Sequence, residues 1–213
     1  MRQRKLKNID DRLLEKSKHL VINPKEYKGK WNGLFGNDKP IYMEVGCGKG
    51  KFITSLATMH PENNYIGVEG QGSVLLRALE RLDNLEIENL FLIREFIRDI
   101  EEYFAEGELS GIFLNFSDPW PKDRHAKRRL THSNYLNGYK NILKPESFIE
   151  FKTDNDELFE FGVEEFINSG FEIIEKSEDL HNSSISAKEV TTEYEDKFKD
   201  IGRTIKYCKA KVK

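Results

Sequence analysis

Two carboxylates and a run of glycines form the first group of residues able to do chemistry. In Ile41-Tyr-Met-Glu-Val-Gly-Cys-Gly-Lys-Gly50 an apolar strand runs into a turn carrying Gly46, Gly48 and Gly50, and a helical pattern follows. Glycines let a ligand approach the backbone closely, and the N–H groups of a helix start favour negative charge. A dinucleotide fingerprint would need its third glycine where Lys51 stands, so that motif is not met. Glu44, just ahead of the turn, would repel a pyrophosphate and attract an ammonium or sulfonium group. Glu69 closes the next apolar run, Tyr65-Ile-Gly-Val-Glu69, where a carboxylate can accept from both hydroxyls of a ribose. The two acids together fit S-adenosylmethionine better than a dinucleotide. A third run ends in Ile93-Arg-Glu95-Phe96. There Glu95 can accept from an adenine amino group, and Phe96 either stacks on the adenine or belongs to the core.

The second group lies in Gly111-Ile-Phe-Leu-Asn115-Phe-Ser-Asp118-Pro-Trp120-Pro121. Pro119 and Pro121 fix their own φ and restrict Asp118 and Trp120 before them, so this loop is stiff. One carboxylate and one indole on a stiff loop suit a planar base held between an acceptor and an aromatic face. Lys122, Arg124, His125, Lys127, Arg128 and Arg129 follow, against the single Asp123. Such cations grip phosphates and position a nucleic acid without reading its sequence. Further on, Asp154 ends a strand in Lys152-Thr-Asp-Asn155, on the sheet edge that also carries Asp118. Thr192, Glu193, Tyr194 and Glu195 stand in a polar connection where they can close over the site. Thr192 and Glu195 also have the spacing of a capping box. No second histidine or cysteine stands at metal-ligand spacing, and Cys47 and Cys208 make neither a disulfide framework nor a metal set.

These groups need a scaffold that brings strand ends together. Candidate strands are 41–45, 65–69, 90–93, 111–116, 147–152, 171–175 and 204–211, with helical stretches near 50–60, 72–83, 97–105, 132–143 and 155–169. That alternation implies right-handed crossovers and a doubly wound, mostly parallel seven-stranded α/β sheet. The last strand alternates apolar and basic residues, as a half-exposed edge strand does. Residues 1–39 read as a polar N-terminal extension and 40–213 as one domain. The chain has 213 residues, 34 basic and 37 acidic, for a net charge of -3. That argues against a blanket polyanion binder, but the bases gather at 2–7 and 122–129, giving a dipolar surface. No apolar run approaches the roughly 18 residues of a membrane span, and the basic start leads into Asp10 and Asp11 with no apolar h-region behind it. The expectation is a reduced cytoplasmic protein.

The run Asn115-Phe-Ser-Asp-Pro-Trp-Pro, followed by Arg124-His-Ala-Lys-Arg-Arg-Leu130, resembles the bacterial tRNA (guanine-N7)-methyltransferase family. Phe151-Lys-Thr-Asp-Asn155 and Thr192-Glu-Tyr-Glu195 extend the resemblance over nearly the whole chain. It implies a Rossmann-like methyltransferase fold with an antiparallel last strand. It also implies methyl transfer from S-adenosylmethionine to N7 of a guanine in the tRNA variable loop, position 46 of tRNA. By that resemblance Glu44, Glu69 and Asp118 contact the cofactor or the reaction centre. Lys122, Asp154 and Thr192–Glu195 would meet the substrate, and Arg124–Arg129 the RNA. Phe96 stands where relatives usually carry an aspartate, and Gly72 where many carry a lysine. Guanine N7 has a lone pair and no proton, so no general base is required; Asp118 or Asp154 can accept from the guanine N1–H and 2-amino group. Rival readings are a nicotinamide oxidoreductase, a methyltransferase acting on a protein or small molecule, and a non-catalytic RNA-binding protein with a vestigial pocket. Oligomeric state is open, as monomer and dimer suit the sequence equally.

Overall fold

The computed structural model describes residues 9–16, 18–83, 85–199 and 202–212. The basic residues Arg2, Arg4, Lys5 and Lys7 lie outside the described residues. Eight strands form one sheet: β1 (Leu20–Val21), β2 (Ile41–Val45), β3 (Asn64–Val68), β4 (Leu90–Ile93), β5 (Leu109–Asn115), β6 (Leu143–Thr153), β7 (Phe171–Ser177) and β8 (Lys206–Val212). Their spatial order is β1-β4-β3-β2-β5-β6-β8-β7. Pairings from β1 to β6 are parallel, and β8 is antiparallel to both β6 and β7. The helices are α1 (Ile9–Leu14), α2 (Trp31–Phe35), α3 (Lys51–Met59), α4 (Gly72–Leu82), α5 (Ser133–Ile142), α6 (Asp156–Asn168) and α7 (Glu193–Lys199).

The doubly wound, mostly parallel α/β architecture expected from the sequence is present, with an antiparallel last strand. Three details differ. An eighth strand comes from the polar extension, where Leu20 and Val21 pair with Leu92 and Ile93 of β4. The last strand is not at an edge: β8 lies between β6 and β7. Its alternation records two faces of unequal burial. Cys208, Ala210 and Val212 are buried on one face, while Lys209 and Lys211 on the other pair with Glu150 and Glu146; Tyr207, on the lysine face, is buried as well, and Lys206 at the strand start pairs with Asp156. The stretch 97–105 forms only one turn of 3-10 helix, Ile100–Glu102, capped by the Asp99 side chain. The extension fills the space there, since Trp31 is wholly buried, stacks on Phe104 at 5.3 Å and donates from Nε1 to the Tyr103 carbonyl at 2.9 Å.

Each helix follows from its own apolar spacing. In α4, Leu75, Leu76, Leu79 and Leu82 are buried along one face, while Gln71 at its start makes no side-chain cap. Each buried leucine contributes about 1.5–3 kcal/mol and a cap about 1 kcal/mol, so packing decides the helix. α6 has both: the Asn155 side chain accepts from Leu158 N at 2.7 Å, and Leu158, Phe159 and Phe166 are buried. Two cores result. One carries Met43, Ile66, Ile112, Ile149 and Phe166 on one sheet face, and the other carries Ile53, Leu75, Leu79 and Leu92 on the opposite face. A small third cluster of Leu180, Ile205 and Tyr207 seats the connection between β7 and β8. The strand order reverses between β2 and β5, and open α/β sheets bind ligands at the carboxyl ends of strands at such a switch point.

Candidate active site

At that reversal Glu44 of β2 is paired opposite Phe113 of β5, and the next inward residue of β5 is Asn115. Glu44 is 2% exposed and its Oε1 accepts from Asn115 Nδ2 at 2.9 Å. Glu44 Oε2 and Asn115 Oδ1 are both buried with no hydrogen-bond partner. Burial pushes the Glu44 carboxyl up to about 7, against the lowering effects of the Asn115 amide, the Lys152 charge and the Ile53 backbone N–H at the start of α3; the charge of Glu193 adds to the rise. Buried acceptors without donors are costly, so this pair calls for a donor, and a cationic one would also restore the carboxylate.

The glycine turn lies beside them. Gly46, Gly48 and Gly50 have φ of 79, 58 and 79°, a region that favours glycine. A Cβ on Gly46 or Gly48 would meet nothing, so the turn opens onto free space; one on Gly50 would press on Ala78. The N–H groups of Gly46 and Cys47 both donate to the Val68 carbonyl, at 2.8 and 2.9 Å, which ties the turn to β3. Glu69 follows that strand. Its Oε1 accepts from Gln71 N at 2.7 Å. Burial raises its pKa against backbone hydrogen bonds from Gln71, Gly48 and Gly70.

Two cavities open along this edge and share Gly46, Asn115 and Phe116. The smaller, about 270 Å³, is lined by Glu44, Gly48, Phe52, Thr192, Glu193 and Tyr194. The larger, about 920 Å³, brings together Glu69, Glu95, Phe96, Asp118, Trp120, Lys127 and Arg128. Phe96 is not a core residue: it is 72% exposed, and its ring lies over Gly70, where any Cβ would collide with it. Glu95, on the same wall, hydrogen-bonds the Tyr103 side chain.

The proline-stiffened loop carries more strain than its prolines require. Phe116 and Trp120 have φ of 50 and 43°, costing about 1–3 kcal/mol each for such side chains. Arg129 opposes that cost: Nε donates to Pro119 O at 3.0 Å and Nη2 to Trp120 O at 3.3 Å. It is 7% exposed and its guanidinium lies 4.3 Å from the Phe161 ring centre. Arg129, grouped by sequence with the RNA-gripping cations, is thus turned inward as a brace for the loop. Its neighbours behave otherwise. Lys122, Arg124, Lys127 and Arg128 are exposed around a 3-10 helix, Asp123–Arg128, and none has a carboxylate partner among the described residues. Arg128 covers the Trp120 ring at 4.8 Å, and His125 meets the same ring edge-on at 5.9 Å.

Asp154 lines neither of these cavities: its carboxylate is 12% exposed and accepts from Arg203 Nη1 at 2.6 Å. Thr192 and Glu195 form the capping box, with Glu195 N to Thr192 Oγ1 and Thr192 N to Glu195 Oε2 both at 3.0 Å. Both face inward, leaving Glu193 and Tyr194 toward the smaller cavity. Tyr194 packs between Phe116 and Phe198, its ring tilted to both at centre distances of 4.9 and 4.2 Å. Sequence reasoning passed over Asn115, Lys152, Arg81 and Arg203. Asn115 had a signal, a polar residue closing a wholly apolar strand; the others acquire partners only through the tertiary fold. Among the described residues no three His, Cys, Asp or Glu side chains could hold a metal ion, and no helix is long and apolar enough to cross a membrane.

Residues 38–208 match a methyltransferase family model, Methyltransf_4. A tRNA (guanine-N(7)-)-methyltransferase of Geobacillus sp. (strain WCH70) is 49% identical over 91% of this chain and 87% of its own. One from Lactococcus lactis subsp. cremoris (strain MG1363) is 45% identical over 99% of this chain and 98% of its own. Among solved structures, an antibiotic-related methyltransferase superposes with a TM-score of 0.66, covering 92% of this chain and 97% of its own at 19% identity, a likeness of fold. A glycine turn flanked by two acids, a strained Asp-Pro-Trp-Pro loop and a matching chain of relatives lead to one conclusion: this chain belongs to the tRNA (guanine-N7)-methyltransferase family.

Proposed function

We propose that this protein methylates N7 of a guanine in tRNA, at position 46 in the variable loop, in the cytoplasm. Residues 40–213 would act as the catalytic domain and 1–39 as its extension. The observation that carries the reading is the pair of unsatisfied buried acceptors, Glu44 Oε2 and Asn115 Oδ1, at the sheet's reversal point. They fit the ammonium of S-adenosylmethionine, and the open turn at Gly46, Gly48 and Gly50 fits its approach to the backbone. Glu69 has a second oxygen for ribose hydroxyls, Phe96 offers a ring for the adenine, and Glu95 an acceptor beside it. When bound, S-adenosylmethionine supplies an electrophilic methyl group on a sulfonium.

The residues of the chain then have to align and to stabilise charge, since guanine N7 presents a lone pair without a proton. Asp118 is the better placed of the two candidate acids. It is exposed at the larger cavity beside Trp120, whereas Asp154 is already engaged by Arg203. Asp118 accepts from guanine N1–H and the 2-amino group, which selects guanine over adenine because adenine would leave that acceptor unpaired. The same carboxylate offsets the positive charge that methylation places on the purine. Lys122, Arg124, His125, Lys127 and Arg128 hold the RNA backbone, and Tyr194 and Glu193 face the reacting groups from the opposite wall.

The test is methyl transfer from labelled S-adenosylmethionine to unmodified tRNA, followed by borohydride–aniline cleavage. Cleavage at a single variable-loop guanine is expected. Label without cleavage would move the target atom, and no label would overturn the assignment.

A further inference from the structure

The outer wall of the smaller cavity comes from the stretch 187–197, which begins in a 3-10 turn, ends in the short α7 and lines the cavity with Thr192, Glu193, Tyr194 and Lys197. Three cations from the body of the protein tie this wall down. Lys152, on β6 in the middle of the sheet, has no exposed surface. Its Nζ donates to the carbonyls of Ala187 at 2.6 Å and Val190 at 3.0 Å, and lies 3.5 Å from Glu195 Oε1. Lys51, the first residue of α3, donates to Thr191 Oγ1 at 2.8 Å and pairs with Asp196. Arg81 of α4 reaches Glu193 Oε1 at 2.6 Å. Lys152 also stands 5.3 Å from the Phe52 ring, which lines the cavity together with Glu44.

A buried ammonium is expensive, and an apolar residue of the same length would stabilise a sheet interior at least as well. Burial lowers the Lys152 pKa, while the charges of Glu195, Glu150 and Glu44 oppose that. The lysine therefore earns its place through what its three contacts hold. All three lie on the wall.

We propose that Lys152 is a positioning residue for cofactor binding: it fixes Ala187, Val190 and Glu195 so that the wall closes the cavity around Glu44 and Asn115, while Lys51 and Arg81 secure its rim. This rests on the reading that the cavity takes the amino-acid end of S-adenosylmethionine.

The experiment compares wild type, Lys152→Met and the surface double variant Lys51→Ala/Arg81→Ala by calorimetric titration with S-adenosylhomocysteine, alongside steady-state methyl transfer. Lys152→Met is expected to weaken binding about 30-fold, and the double variant about five-fold. In both, KM for S-adenosylmethionine should rise in step with Kd, with kcat at saturation within about threefold of wild type. A residue needed only for folding would lower kcat through the active fraction and leave KM and Kd alone, and that result would overturn the proposal. If Lys152→Met does not fold, the double variant decides, and unchanged affinity in it overturns the proposal. Wild-type protein that took up no S-adenosylhomocysteine would overturn the cofactor reading, and this inference with it.

Discussion

The two cavities meet at Asn115 and Phe116 but are built in opposite ways. The smaller is defined by buried charge, with Glu44, Lys152 and Glu195 at 2%, 0% and 0% exposure. The larger is defined by exposed groups: Phe96, Asp118 and the cations of the 3-10 helix that follows. Buried charges are hardly screened, so each one demands a specific partner. Exposed ones are weak singly, add up over a polymer and fade with salt. On the function proposed above, one region would select a small ligand by the cost of leaving a carboxylate unpaired, and the other would collect a long polyanion by numbers.

The largest effect that would break this contrast belongs to Glu44. Glu44→Gln should weaken S-adenosylhomocysteine binding about 300-fold at pH 8, measured by titration calorimetry, because a buried ionic contact is lost. The wild-type carboxyl is pushed up to about 7, so wild-type affinity should itself fall about tenfold per pH unit below that value. Stability of the unliganded protein runs the other way. The unfolded chain loses this proton near 4.5 and the folded one near 7, so stability falls as pH rises across that window, by about 3 kcal/mol in all. Glu44→Gln should therefore melt higher than wild type at pH 8 and alike at pH 4.5; equal melting at pH 8 would count against the buried charge.

Asp118→Asn comes next. We expect kcat with tRNA to fall about 30-fold, with S-adenosylhomocysteine affinity unchanged. Wild-type turnover would remove Asp118 from the reaction centre. Arg129→Met should cost about 2 kcal/mol of stability in urea unfolding, through two carbonyls left unpaired at the strained loop, with the salt dependence of tRNA binding unaltered. A change in that salt dependence would return Arg129 to the phosphate contacts. The smallest effect is that of Lys127→Ala, a loss of about threefold in tRNA affinity that disappears at high salt, with the log–log salt slope reduced by roughly one.

How much of this was legible in the sequence follows the same divide. The glycine turn, Glu44, Glu69 and the Asp-Pro-Trp-Pro loop were readable because their chemistry is local: strand, turn and acid lie within a few residues. The exposure of Phe96 was not, because a phenylalanine after a strand reads equally as core; only Gly70 beneath its ring explains its position. Arg129 looks like its basic neighbours until the carbonyls of Pro119 and Trp120 are brought within reach. Lys152 and Arg203 have partners 35–49 residues distant in the chain. Strand alternation gave the faces of β8 correctly from Cys208 to Val212, missed the buried Tyr207, and gave the neighbours of the strand wrongly, since periodicity carries no information on strand order. The two residues of β1 are too few to show any pattern.

The position of β8 also governs how the chain can be made. As synthesis proceeds from the N-terminus, β1 to β6 can assemble in parallel, but β7 has no partner in the sheet until β8 slides in beside it. Until residues 206–212 leave the ribosome, the nascent protein exposes one edge of β6 and both edges of the unpaired β7. The final seven-residue strand is a closing stitch. Premature termination just before it would leave the Lys152 wall without Tyr207 beneath it, and quality control would meet an aggregation-prone sheet.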